Sequence, residues 1–260
     1  MKRFVAALAL LAGCASAQAA DLPLKAKPFD TPVVASTSPF WIGIEGGLGL
    51  SPTENDFTIL GASSGPIKGF PTGLLAGIAA GYTFNSGALQ LEANVSADYD
   101  FSRGCVDIAC MAARKNGFLL QEGFGVGFSM TTLGGYLPGQ ANPSNWLVPI
   151  TVPASVWANW IIMPEGGYAE RNLDLCAVNG LVDPNGNVLT SCGSKFIAAP
   201  YAGIKNKFMI SAQSELALRY SHVFWGNQYS FTPQAAVPLF ANSVTIKGED
   251  IFKAMFVYHM

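Results

Sequence analysis

Charge is scarce in this chain of 260 residues: Lys, Arg, Asp and Glu together make up 12%, and only two histidines occur. A formal net charge of −2 drawn from so few groups leaves no basic patch with which to hold nucleic acid. Long apolar runs are missing as well. Hydrophobic residues amount to 50%, yet beyond residue 20 no run approaches the roughly 18 residues of a membrane-spanning helix. The sequence has no P-loop, dinucleotide fingerprint, carboxylate-rich calcium loop or HExxH motif, so neither a cofactor nor a metal is expected. The stretch Asp183-Pro184-Asn185-Gly186-Asn187 has too few carboxylates for calcium and reads as a turn.

The first residues have the pattern of an export signal. Met1-Lys2-Arg3 is a short positive segment, an apolar run follows, and Ala17-Gln18-Ala19 supplies small residues for cleavage, which makes residues 1–19 a signal peptide. Leu11-Ala12-Gly13-Cys14 also reads as a lipobox, the alternative being lipidation at Cys14. Removing Lys2 and Arg3 leaves 13 of the 15 basic residues against 17 acidic ones. Cys105, Cys110, Cys176 and Cys192 then form an even set in an oxidising compartment. Three pairings are possible, and proximity favours Cys105 with Cys110 and Cys176 with Cys192. With no His near either pair, zinc is not expected.

Residues 20–39 carry Pro23, Pro28, Pro32 and Pro39 and read as a periplasmic spacer. From residue 40 the pattern changes to strands. Residues 88–101 are the clearest: Leu89, Leu91, Ala93, Val95, Ala97, Tyr99 and Phe101 alternate with Gln90, Glu92, Asn94, Ser96, Asp98 and Asp100. Successive strand residues point to opposite faces, so one face is apolar and the other polar. A soluble sandwich would cover the apolar face with a second sheet, whereas a membrane barrel would turn it to lipid. Similar alternation at 40–50, 72–84, 118–130, 161–175, 195–204, 208–225 and 251–260 brings the count to eight. This is the even number expected of a single-chain barrel.

Between the strands, short turns alternate with long loops. Turns are expected at Asn85-Ser86-Gly87 and Lys205-Asn206-Lys207, and long loops at 51–71, 102–116, 176–194 and 226–245. Residues 131–160 fall on the short-turn side, yet they number about thirty and hold four prolines. They read as an elaborated periplasmic turn, an extra hairpin with ten strands being the alternative. Glu122 falls on the lipid phase, a position tolerable only near an interface or beside a bulge.

The motifs Ala20-Asp21-Leu22-Pro23, Phe40-Trp41-Ile42-Gly43 and Met163-Pro164-Glu165-Gly166-Gly167-Tyr168-Ala169 add a further likeness. So do Ala199-Pro200-Tyr201-Ala202-Gly203-Ile204-Lys205-Asn206-Lys207 and Ser214-Glu215-Leu216-Ala217-Leu218-Arg219-Tyr220. With them the chain resembles the small outer-membrane β-barrels of alphaproteobacteria, porin-like surface antigens related in form to the OmpA transmembrane domain. It departs from them in ending on Met260 and in the length of 131–160. The resemblance implies residence in a Gram-negative outer membrane. It also implies partnership with outer-membrane lipid, lipopolysaccharide and the barrel-assembly machinery.

The expected architecture is therefore all-β, an eight-stranded antiparallel up-and-down transmembrane barrel over residues 40–260. Such a barrel is just wide enough to be filled by its own side chains. Glu45, Gln90, Glu92, Asn94, Asp98, Gln213, Glu215 and Arg219 are placed inside it, as a hydrogen-bonded interior and not a conducting path. Phe101, Phe118, Tyr168, Tyr220, Phe224 and Trp225 are expected to form an aromatic girdle. Catalysis is not expected, because Ser221 and His222 are adjacent and must point to opposite faces. The expected role is structural, in the cell envelope and at its surface. A narrow channel for small solutes and a lipid-modifying enzyme are the alternatives.

Overall fold

Strict alternation along the chain produces strands whose outward face is apolar, and eight of them close on themselves. The computed structural model describes residues 38–59, 62–70, 72–86, 89–101, 104–105, 112–114, 116–129, 160–182, 188–231 and 240–260. The expected signal peptide, most of the spacer, Cys110, Asp183-Pro184-Asn185-Gly186-Asn187 and nearly all of 131–160 lie outside these residues. The strands are β1 (Phe40–Leu50), β2 (Thr53–Ile59), β3 (Ala62–Gly69), β4 (Thr72–Ser86), β5 (Leu89–Asp100), β6 (Gly104–Cys105) and β7 (Ala112–Arg114). They continue with β8 (Gly117–Ser129), β9 (Trp160–Val182), β10 (Val188–Met209), β11 (Ser214–Val223), β12 (Asn227–Phe231), β13 (Phe240–Ile246) and β14 (Glu249–His259).

The barrel runs β1-β4-β5-β8-β9-β10-β11-β14 and closes where β14 pairs with β1, every contact being antiparallel. Tracing directly opposed residues from Phe40 passes through Tyr82, Ala93, Phe124, Gly166, Ala202, His222 and Asp250. It returns to β1 at Leu50, ten residues above its start. A stagger of this size goes with strands tilted by about 35–45° and a bore that side chains can fill.

One end of the barrel has short connections. There, Ile210 and Ser211 both donate their N–H groups to the Ser214 carbonyl, at 2.9 and 3.1 Å, in the turn between β10 and β11. The expected turn at 205–207 is thus displaced to 210–213, because Lys205 and Lys207 continue the inward phase of β10 and find carboxylates in the bore. β8 and β9 pair with each other from Ser129 and Ile161 upward, so 130–159 joins neighbouring strands at this same end. Their pairing skips Val126 and Gly127, opposite Met163 and Pro164, since Pro164 has no N–H to give.

The opposite end is more ordered than loop composition suggests. Cys176–Ser194 was expected as a loop, but β9 and β10 extend through it as one long hairpin in which Cys176 stands directly opposite Cys192. The β6–β7 pair adds to the extended β9 through Ala113 and Cys176. The two remaining long loops contribute a separate four-stranded sheet, β12-β13-β2-β3. These short segments lack clear period-2 alternation, and pairing between distant parts of the chain makes them strands. From that sheet, Val244 and Ile246 join Leu75, Leu119, Leu173, Val223, Trp225 and Ile251 in an apolar plug over the bore.

The candidate functional site: a charged bore

Outward-facing side chains form a continuous apolar band, including Ile42, Ile44, Leu48, Leu74, Ile78, Phe124, Leu216, Leu218, Phe252 and Phe256, all exposed. Aromatics sit at its two margins. Phe101, Phe118 and Phe224 are exposed at the margin towards the long-loop end. Tyr168 and Tyr220, also expected in the girdle and exposed on the outward face, stand deeper in the band, Tyr168 directly opposite Glu122. Trp225 departs from the expected girdle. It is 3% exposed, its indole Nε1 donating to Glu249 Oε2 at 3.0 Å and its ring lying 5.7 Å from the Arg171 guanidinium. The chain leaves β11 at Val223, and Trp225 keeps the inward phase there. The shorter-loop margin has Phe40 against Tyr82 and Trp160 stacked on Phe208.

Inward-facing positions hold ions. Glu45, Glu92, Asp98, Asp100, Glu165, Glu215 and Glu249 face Arg171, Lys205, Lys207, Arg219 and Lys253, and all are buried. At the short-turn end, His259 Nε2 is 3.3 Å from Glu215 Oε2, and Lys207 bridges Glu215 at 3.1 Å to Glu92 at 2.8 Å. Lys205 binds the other Glu92 oxygen at 2.5 Å and lies 3.6 Å from Glu165. Arg219 pairs with Glu165 through Nε and donates from Nη2 to the Tyr201 hydroxyl at 2.7 Å. Lys253 then joins Glu45, at 2.8 Å, to Asp98. Nearest the plug, Arg171 bonds Glu249 at 2.6 Å and Asp100 at 3.3 Å.

The neutral groups knit these pairs together. Thr83 donates to Glu92 Oε2 and Asn94 to Glu92 Oε1, each at 3.4 Å, while Ser96 Oγ accepts from both Lys253 and Arg219. Trp41 fills the bore beside Lys205, whose ammonium is 5.4 Å from the ring centre. A Cβ at Gly81 would collide with that indole, and one at Gly123 with the Tyr201 hydroxyl, so glycine is required at both. Such a network is stable only when each charge is matched, since an unmatched ion in a low-dielectric bore costs several kcal/mol.

Of the side chains expected inside, Glu45, Glu92, Asn94, Asp98, Glu215 and Arg219 are buried in the bore. Gln90 is half-buried at its lower end and accepts from Lys207 at 2.9 Å. Gln213 is not inside. It belongs to the 210–213 turn, is exposed, and accepts from the Tyr258 hydroxyl at 3.3 Å. Sequence reasoning missed Arg171, Lys205, Lys207, Lys253 and Glu165. The available signal was parity, for each is a charge on the phase opposite a run of lipid-facing residues.

His222 is on the outward face, with Nδ1 2.8 Å from Asp250 Oδ1, an oxygen that also accepts from the Tyr220 hydroxyl at 2.8 Å. Ser221 is on the inner face, where its Oγ accepts from Gln121 at 3.2 Å. The wall of the barrel separates the hydroxyl from the imidazole, and the acid beside His222 is Asp250. A hollow of about 370 Å³ is lined by Ile44, Glu45, Gly46, Leu216, Ala254, Met255 and Phe256, of which Ile44, Leu216 and Phe256 are exposed on the outer surface.

No protein-family model matches the chain, and no curated protein sequence does. Solved structures do match. The outer membrane protein OprG from Pseudomonas aeruginosa is 11% identical over 87% of this chain and 98% of its own, with a TM-score of 0.50. The N-terminal β-barrel domain of Pseudomonas aeruginosa OprF is 13% identical over 85% and 97%, with a TM-score of 0.39. Neisserial surface protein A is 12% identical over 86% and 98%, with a TM-score of 0.35. The fold is thus the closed eight-stranded antiparallel β-barrel found in small outer-membrane proteins.

Proposed function

We propose that this protein is a non-enzymatic integral barrel of a Gram-negative outer membrane, serving envelope integrity and contact at the cell surface. The observation that carries this reading is the pairing of an apolar outer band with a bore filled by side chains. Turned to lipid, the band is solvated by acyl chains. The ion pairs, Trp41 and the apolar plug occupy the space through which a solute would pass. The four-stranded sheet and the extended hairpin carry the chain beyond the membrane, which suits a surface role. Lipid and lipopolysaccharide are the proposed surroundings, reached through the barrel-assembly machinery after export.

A narrow channel is the second reading, favoured by the ionised groups that run lengthwise through the bore. Among the described residues, seven buried carboxylates against five buried Lys and Arg side chains would make any such path prefer cations. For the enzymatic alternative, the His222–Asp250 pair has no Ser, Thr or Cys bonded to it among the described residues, Ser221 being inside. The test is fractionation of the envelope followed by electrophoresis with and without boiling. A faster unboiled band in the outer-membrane fraction is expected; a soluble periplasmic protein of unchanged mobility would refute the reading.

A further inference from the structure

Glu122 stands on the outward face of β8, directly opposite Val95 of β5 and Tyr168 of β9. A carboxyl on the lipid phase is tolerable near an interface or beside a bulge, and neither applies. Pairing is regular through Glu122 on both sides. On the same face it is four residues from Phe118 and six from Phe128, or about 13 Å and 20 Å along a tilted strand. That places it near the middle of an apolar band about 25 Å tall, where an ionisable group is costly and marks a functional contact. Glu122 is half-exposed and makes no hydrogen bond or ion pair among the described residues. The described outward face of the barrel wall has no Lys or Arg with which to neutralise it.

Around it the wall is flat. Gly166, Ala198, Pro200 and Ala202 occupy the neighbouring outward positions of β9 and β10. The barrel does not demand glycine at 166, because a Cβ there would meet only the Tyr201 carbonyl oxygen, at 3.4 Å. Its neighbour Gly167 differs, as a Cβ at that position would collide with the Glu122 backbone. Small outward residues that the wall itself does not need allow another surface to approach closely.

We propose that this strip is the interface of a homodimer within the membrane, with each Glu122 carboxyl accepting a hydrogen bond from the partner's Tyr168. A second copy fits because the strip is self-complementary. An acceptor and a 45% exposed hydroxyl donor lie side by side across one strand pair, so a two-fold axis between them presents each to its counterpart. Both carboxyls leave the lipid and gain a donor, and the Gly166–Ala202 strip lets the two walls touch.

The inference rests on the reading of the chain as a membrane barrel, and the experiment separates the two. The full-length protein, labelled separately with donor and acceptor dyes, is reconstituted in lipid vesicles and diluted with lipid. Energy transfer reports dimers, and the boiling-dependent mobility shift reports the folded barrel. Wild type and Gly46→Leu, whose substituted site is on a distant outer face, should dimerise equally. Glu122→Gln, which still accepts a hydrogen bond, should lose little. Tyr168→Phe, Glu122→Leu and Gly166→Leu should each weaken dimerisation at least tenfold while keeping the mobility shift. A heat-modifiable wild type that stays monomeric would overturn the proposal in favour of a partner of different sequence. Dimers undiminished in Tyr168→Phe and Gly166→Leu would overturn it as well. A wild type that neither inserts nor shifts would refute the membrane reading, and the dimer with it.

Discussion

Lys207 of β10 and Glu92 of β5 meet inside the bore at 2.8 Å, although 115 residues separate them in the chain. Glu92 is the hub of the network, since its second oxygen takes Lys205 at 2.5 Å. Glu92→Ala would leave Lys207 with only Glu215, at 3.1 Å, and Lys205 with only Glu165, at 3.6 Å. A loss of about 3–5 kcal/mol is expected, within the range for breaking a buried ion pair by removing one partner. Urea unfolding from lipid vesicles measures it, and Glu92→Gln, which keeps a hydrogen-bond acceptor, should lose less.

The two indoles near the barrel margins should respond differently to lipid. Trp160 is on the outward face stacked on Phe208, whereas Trp225 is sealed against Glu249 and Arg171. In variants that keep a single tryptophan, brominated lipid should quench Trp160 strongly and Trp225 weakly. Equal quenching would return Trp225 to the girdle.

Cys176 and Cys192 are direct register partners across the β9–β10 hairpin. Peptide mapping of the unreduced protein should recover them as one linked pair. On the chain-entropy model, a loop of about 15 residues closed in this way stabilises by about 3 kcal/mol. Reduction should therefore loosen the hairpin and leave the lipid-embedded wall intact. Recovery of Cys176 linked to Cys105 would contradict this pairing.

Outside the membrane band, Lys247 donates to Glu54 Oε1 at 2.8 Å, linking the entry to β14 with β2 of the outer sheet. That hydrogen bond and its charge hold the Glu54 carboxyl below its ordinary value of 4.5. A carboxyl lowered on folding stabilises the folded form above its unfolded value, and the benefit is lost as pH falls through the folded value. The pair is at the surface, so the effect on stability is small. A carboxyl-carbon NMR titration should show the Glu54 midpoint rising towards 4.5 in Lys247→Ala.

Much of the wall was legible because a barrel strand obeys one rule, and β5 obeys it over its whole length. The inward phase of Glu45, Glu92, Asp98, Glu215 and Arg219 followed directly. Lys205 and Lys207 were misread because Lys-Asn-Lys has turn-like composition. Composition does not reveal that Glu92 and Glu165 await those ammonium groups across the bore. Gln213 and Trp225 were misplaced at strand ends, where one residue of slippage changes the face. The outer sheet was illegible, since its centre is made by β2 pairing with β13 across most of the length of the chain.

The central claim, a closed barrel whose bore is filled by its own ion pairs, is tested most directly by single-channel recording. Folded, heat-modifiable protein inserted in a planar bilayer should give no discrete conductance steps at moderate voltage. Regular, cation-preferring openings of uniform size would show a continuous aqueous path past Lys207, Arg219 and Lys253, and would contradict the account.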